Sequence, residues 1–159
     1  MAGYPEIFLR LGLALVAGVT LGLNRWLHHK SAGIRTHSLV ALGAALVMLL
    51  IGSFPGADVQ AASRVIQGLI TGIGFLGAGL IIHQANSQNI HGLTTAASIW
   101  ACAILGATFG SGFYVLGVGA LAAMLLILFV GGPIERLTKK LLGIQRESEI
   151  AEEPKDKAP

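Results

Sequence analysis

Acidic residues are scarce in this chain, and past Glu6 none falls in a stretch apolar enough to cross a membrane. That scarcity counts against a magnesium path. The ion is hard, is bound through carboxylates and retained waters, and ordinarily marks its route with an acid at membrane depth. Charge of either sign is thin, at 12% of residues. A soluble domain needs roughly twice that share to cover its surface. Cys102 is the only cysteine, which excludes an intramolecular disulfide and a thiolate metal cluster. A phosphate-cradling Walker loop, a Ser-His-Asp set, paired carboxylates and a zinc-protease motif are all missing, so no enzyme is expected. No basic stripe with interleaved aromatics is present either, which argues against nucleic acid.

What the chain has instead is apolar length. Hydrophobic residues make up 53% of it, the mean hydropathy is +0.72, and they come in long blocks rather than a periodic stripe. Five blocks suit a hydrocarbon core about 30 Å thick. They run Ile7–Trp26, Thr36–Phe54, Val65–Ile82, Leu93–Phe109 and Gly112–Gly132, the last two joined by a tight turn at Gly110, Ser111 and Gly112. The fold class expected is an all-α integral membrane protein, a bundle of five transmembrane helices. The first block has Glu6 before it and no basic leader, so it reads as a retained span. Arg10 lies one helical turn after Glu6, so it can pair with the acid, snorkel to the interface, or serve a buried function.

Basic residues set the orientation. Arg25, Lys30 and Arg35 flank the first loop, and Arg136, Lys139 and Lys140 follow the fifth span. The first loop and the segment after the fifth span should both be cytoplasmic, placing the N-terminus out and the C-terminus in. Residues 1–132 then form the membrane domain. Gly131, Gly132 and Pro133 should break the helix, leaving 133–144 as an amphipathic juxtamembrane helix, with Ile134, Leu137, Leu141 and Leu142 as its apolar stripe. Residues 145–159 are charged and lack aromatics, and read as a disordered cytoplasmic tail.

Glycine is where the spans are unusual. The third carries Gly68, Gly72, Gly74, Gly77 and Gly79, each costing an ordinary helix about 1 kcal/mol. Such small faces let helices approach closely, which suggests a central position for this span; a break that frees carbonyls for an ion is the alternative. Gly18 and Gly22 form a similar pair in the first span. A shift of 59 residues lays Gly18 on Gly77, Leu21 on Leu80, Gly33 on Gly92, Ile34 on Leu93, Thr36 on Thr95, Val40 on Ile99 and Ala44 on Ala103. Either this is chance in low-diversity sequence, or spans one-two and three-four are parallel repeats about an axis along the membrane normal. All five histidines, His28, His29, His37, His83 and His91, fall in or beside the first and third loops. Their spacing matches no metal motif, so no metal or cofactor is expected, and titration near neutrality is the other property they offer.

Three stretches resemble the MgtC/SapB family: Gly22 to Ala45, with Arg25, Gly33, Arg35, Thr36 and His37; Arg64 to Gly79; and Gly92 to Trp100, with Thr94 and Thr95. The resemblance implies a bacterial inner-membrane protein tied to growth at low magnesium and, in pathogens, to virulence-type survival inside host cells. It implies a regulator more than a transporter, with the F-type ATP synthase a proposed target in the family. It also carries a functional motif onto Arg25, Gly33, Arg35, Thr36, His37, Arg64, Gly92, Thr94, Thr95 and Trp100. The family often has an acid where this chain has Asn24, and its longer members add a soluble C-terminal domain for which no counterpart is expected here. The resulting expectation is a small regulatory or accessory protein working through helix–helix contacts, with the lipid bilayer, a second copy (a homodimer first) or another membrane protein as partner. The competing expectation is a minimal oligomeric channel or transporter for magnesium or another cation, lined by groups such as Thr71, Thr94, Thr95, Ser98, Arg35 or Arg64.

Overall fold

Away from water every backbone N–H and C=O needs a partner, and a helix supplies them within one segment. The computed structural model describes residues 3–56, 59–83 and 92–142, and these form five helices and short connections, with no strand among the described residues. Helix α1 is Tyr4–Leu27, α2 is Ile34–Ser53, α3 is Val59–His83, α4 is Leu93–Gly110 and α5 is Tyr114–Leu141. All five are long and apolar enough to cross a membrane. Even α4, with 18 residues, rises about 27 Å. The protein is a helical membrane bundle.

Two boundaries depart from expectation. Helix α3 begins at Val59 rather than Val65, taking Arg64 into its second turn. Helix α5 does not break at Gly131, Gly132 and Pro133 but runs through them to Leu141. A proline removes a single N–H, and where no water competes for the remaining amides the helix can continue. Lys139 and Lys140 occupy its last turn, where the helix dipole favours cations. Up to Leu141, the separate helix expected over 133–144 is therefore the end of α5, and the tail expected at 145–159 lies outside the described residues. The chain divides into two compact units, Met1–Leu125 and Leu126–Pro159, and the buried core belongs to the first.

That core is built from small residues. Ala14, Ala17, Ala41, Ala44, Ala45, Cys102 and Ala103 are all but sealed from solvent. Backbones meet almost directly as a result. A Cβ on Gly18 would lie 2.8 Å from the His37 carbonyl oxygen, and one on Gly22 would lie 2.6 Å from Ile34 Cα. Between α2 and α4, a Cβ on Gly106 would overlap the Ala41 carbonyl, and one on Gly110 would fall 2.6 Å from Ala45 Cα. Small residues four apart on both helices permit that approach.

Helix α4 holds the centre, touching α1, α2 and α3, with more than half of its residues buried. The glycine-rich third span does not. Among the described residues helix α3 touches α2 and α4, and Ile73 and Gly77 are its buried positions. A Cβ on Gly68, Gly72, Gly74 or Gly79 would meet nothing within 4 Å. Glycine density shows that a close approach is possible but does not name the neighbour; among the described residues, most of this face has none.

The contacts follow the 59-residue repeat. Helix α1 packs on α2 as α3 packs on α4, and the crossed pairs α1 with α4 and α3 with α2 also touch. Gly18 abuts His37, while Gly77 lies 3.5 Å (from a Cβ built on it) from Ala96, and both residues of the second pair sit 59 positions on. Ala44, Ile99 and Ala103 share one core cluster with Val40 and Leu80 packed against it.

Candidate functional site

Helix α1 ends where α2 and α4 begin, and polar side chains are buried at that end of the bundle. The last turn of α1 brings Asn24 and Arg25, α2 brings His37, and α4 brings Thr95 and Ser98; none is more than 7% exposed. Local sequence fixes the frame. Helix α1 closes with paired bonds from the His29 N–H to the Trp26 carbonyl and from the Lys30 N–H to the Arg25 carbonyl, with His29 in the left-handed region at φ 53°. This is the helix-ending motif in which glycine usually holds the left-handed place. The His28 ring adds a bond to the Asn24 carbonyl at 2.7 Å. Helices α2 and α4 both start after a glycine, Gly33 and Gly92, with no side-chain cap.

Arg25 Nη2 donates to Thr95 Oγ1 at 2.7 Å, joining α1 to α4. The His37 ring lies between Gly33 and Ser98, with Nδ1 3.0 Å from the Gly33 carbonyl oxygen and Nε2 3.1 Å from Ser98 Oγ. Ser98 Oγ also lies 2.8 Å from the Thr95 carbonyl oxygen. A carbonyl can only accept, so Nδ1 carries a proton. With a neutral ring, the single Ser98 hydroxyl proton must choose between Nε2 and the Thr95 carbonyl; a second ring proton satisfies all three bonds. The Cys102 thiol donates to the His37 backbone carbonyl at 3.2 Å, not to the imidazole, so the pair does not form a nucleophile and base. Both residues are fully buried, out of a substrate's reach.

Of the residues singled out by sequence, Arg25, His37 and Thr95 meet here, with Gly33 and Gly92 opening the two helices beside them. Arg35, Thr36 and Thr94 stand exposed at the same end, and Arg35 makes no hydrogen bond or ion pair among the described residues. Arg64 is exposed near the start of α3, and Trp100 is 45% exposed on α4. The His83 side chain and His91 lie outside the described residues. Sequence reasoning offers Ser98 only as a channel-lining group, notes Asn24 only as a departure from the family, and misses Cys102 as a member of the site. A signal for Ser98 exists in its three-residue spacing from Thr95, which puts the two on one helical face. No group of three or more metal-ligating side chains occurs among the described residues.

A second polar cluster closes the other end. Glu6 accepts from Arg10 Nε at 2.9 Å and from the Tyr114 hydroxyl, while Arg10 Nη1 donates to the Gly110 carbonyl at 3.0 Å. Of the three readings open to Arg10, pairing with Glu6 is the one seen, and the same side chain ties α1 to the turn after α4.

Five helices long and apolar enough to cross a membrane define a multi-pass membrane protein. Residues 11–137 match the model of the MgtC family, and the chain belongs to that family. It is 40% identical over 144 residues to YhiD of Escherichia coli K12, provisionally named a magnesium transporter, covering 86% of this chain and 64% of YhiD. It is 46% identical over 119 residues to SrpB of Synechococcus elongatus, covering 69% of this chain and 65% of SrpB. SapB of Bacillus subtilis is 38% identical over 132 residues, covering 78% of this chain and 54% of SapB. The chain thus spans less than two thirds of each of these relatives. No solved structure matches it significantly.

Proposed function

We propose that this protein is a non-enzymatic regulator or accessory subunit of the bacterial inner membrane that supports growth when magnesium is scarce. It would act through helix–helix contact, with its N-terminus out and its C-terminus in. The observation that carries this reading is α3. Its glycines Gly68, Gly72, Gly74 and Gly79 open onto free space, so a second copy or another membrane protein can approach there to backbone distance. The family and the name given to YhiD supply the link to magnesium.

That same name favours a transporter as the second reading. Against it stands the polar chemistry: among the described residues the carboxylates are Glu6, already held by Arg10 and Tyr114, and Glu135. The test is growth at limiting magnesium, in a host where the wild-type gene has a measurable effect, with expression matched. Gly72→Leu should lose the effect while the purified protein remains folded. Wild-type growth from Gly72→Leu would refute the contact reading.

A further inference from the structure

Among the described residues, the guanidinium of Arg25 is buried without an opposite charge. Arg25 is 5% exposed and Asn24 is 4% exposed, so both are more than nine-tenths buried. Arg25 Nη2 has only the neutral Thr95 Oγ1 as acceptor, its Nε has no partner, and Asn24 Nδ2 has none either. Glu6, at the far end of α1, is about 28 Å of helix away. A buried cation in this position is strongly destabilising unless a counter-charge arrives from beyond the described residues.

The unmet groups share one chemistry. Both unpartnered groups on α1 are N–H donors. Arg25 reaches the first turn of α4, whose Gly92 cap contributes no side-chain acceptor to the opening N–H groups of that helix. Donors, a fixed positive charge and the positive end of a helix dipole all select an anion. A guanidinium, with parallel N–H bonds in one plane, favours an oxyanion over a spherical ion. We propose that Arg25 and Asn24, together with the first turn of α4, bind a phosphate group. The phosphate can be free or the headgroup of a phospholipid.

The test uses the full chain, purified in a maltoside detergent and stripped of lipid. In one arm, inorganic phosphate is titrated at constant ionic strength against chloride, and thermal unfolding is followed. In the other, dioleoyl phosphatidylglycerol is compared with dioleoylglycerol, which lacks the phosphate, by native mass spectrometry. A saturable response is expected in at least one arm, and which arm responds identifies the source. Asn24→Asp puts a negative charge on the residue next to Arg25 in the chain, and Arg25→Gln removes the positive charge; each should weaken binding at least tenfold. Asn24→Asp should also unfold at a higher temperature than the unliganded wild type, which separates lost binding from lost folding. Absence of a saturable response in both arms for the wild type, or a response unchanged in both variants, would overturn the site. Neither outcome bears on the contact role proposed for α3, which the growth test addresses separately.

Discussion

Alanine at Gly106 and alanine at Gly72 should shift stability in opposite directions. At Gly106 the new methyl would overlap the Ala41 carbonyl, and α2 and α4 would have to separate. Carbon atoms pack best at about 3.5–4.0 Å, so the required movement is on the order of 1 Å or more at a contact running through the centre of the bundle. Overpacking of that kind costs about 1–3 kcal/mol, and the rigid backbone on the receiving side puts this case at the upper end. At Gly72 the methyl meets nothing within 4 Å. There alanine gains only helix propensity, about 1 kcal/mol. Each change is read as the midpoint of thermal unfolding for the monomeric protein in detergent, with helicity followed by circular dichroism. Equal midpoints for the two variants, or a Gly106→Ala protein as stable as wild type, would refute the packing described for α2 and α4.

Three further outcomes are expected. Tyr114→Phe removes the hydroxyl that Glu6 accepts from and should lower the midpoint in the same unfolding assay; no change would show that the Arg10 bonds suffice. His29→Gly should stabilise the end of α1 by about 1 kcal/mol, because His29 holds a left-handed conformation that glycine adopts freely; destabilisation would mean that the imidazole makes a needed contact. With Cys102 replaced by alanine, a cysteine at Ser31 should resist an impermeant thiol reagent in intact spheroplasts and one at Ser111 should react. The reverse labelling would invert the proposed orientation.

The five helices could be read in the sequence because the demand that creates them is local: apolar length and internal backbone bonding. The repeat was legible too, since Gly33 and Gly92 open α2 and α4 and Gly18 and Gly77 face positions 59 residues apart. Neighbour identity was not. Glycine in α3 advertises a close approach without saying which helix makes it, and α4, with fewer glycines, holds the centre through Ala96, Ala103, Gly106 and Ala107. The site was half visible for the same reason. Arg25 and His37 stand out as polar residues beside apolar blocks, whereas Ser98 and Cys102 gain meaning only from His37, 61 and 65 residues away. Arg35 reads as promising as Arg25, yet on α2 the turn of about 100° per residue brings His37 inward and leaves Arg35, two positions earlier, exposed. Pro133 misled because a breaker in water is not a breaker wherever the other backbone bonds stay in place.

Ion flux tests the proposed role most directly. Proteoliposomes containing only this protein, loaded with a magnesium-sensitive dye, are given an inward magnesium gradient and a potassium-set membrane potential. A regulator that works by helix contact should leave uptake at the level of protein-free liposomes, at every magnesium concentration tried. Saturable uptake that scales with the amount of protein, and falls in Arg25→Gln or Thr95→Val, would contradict it and make the protein a transporter.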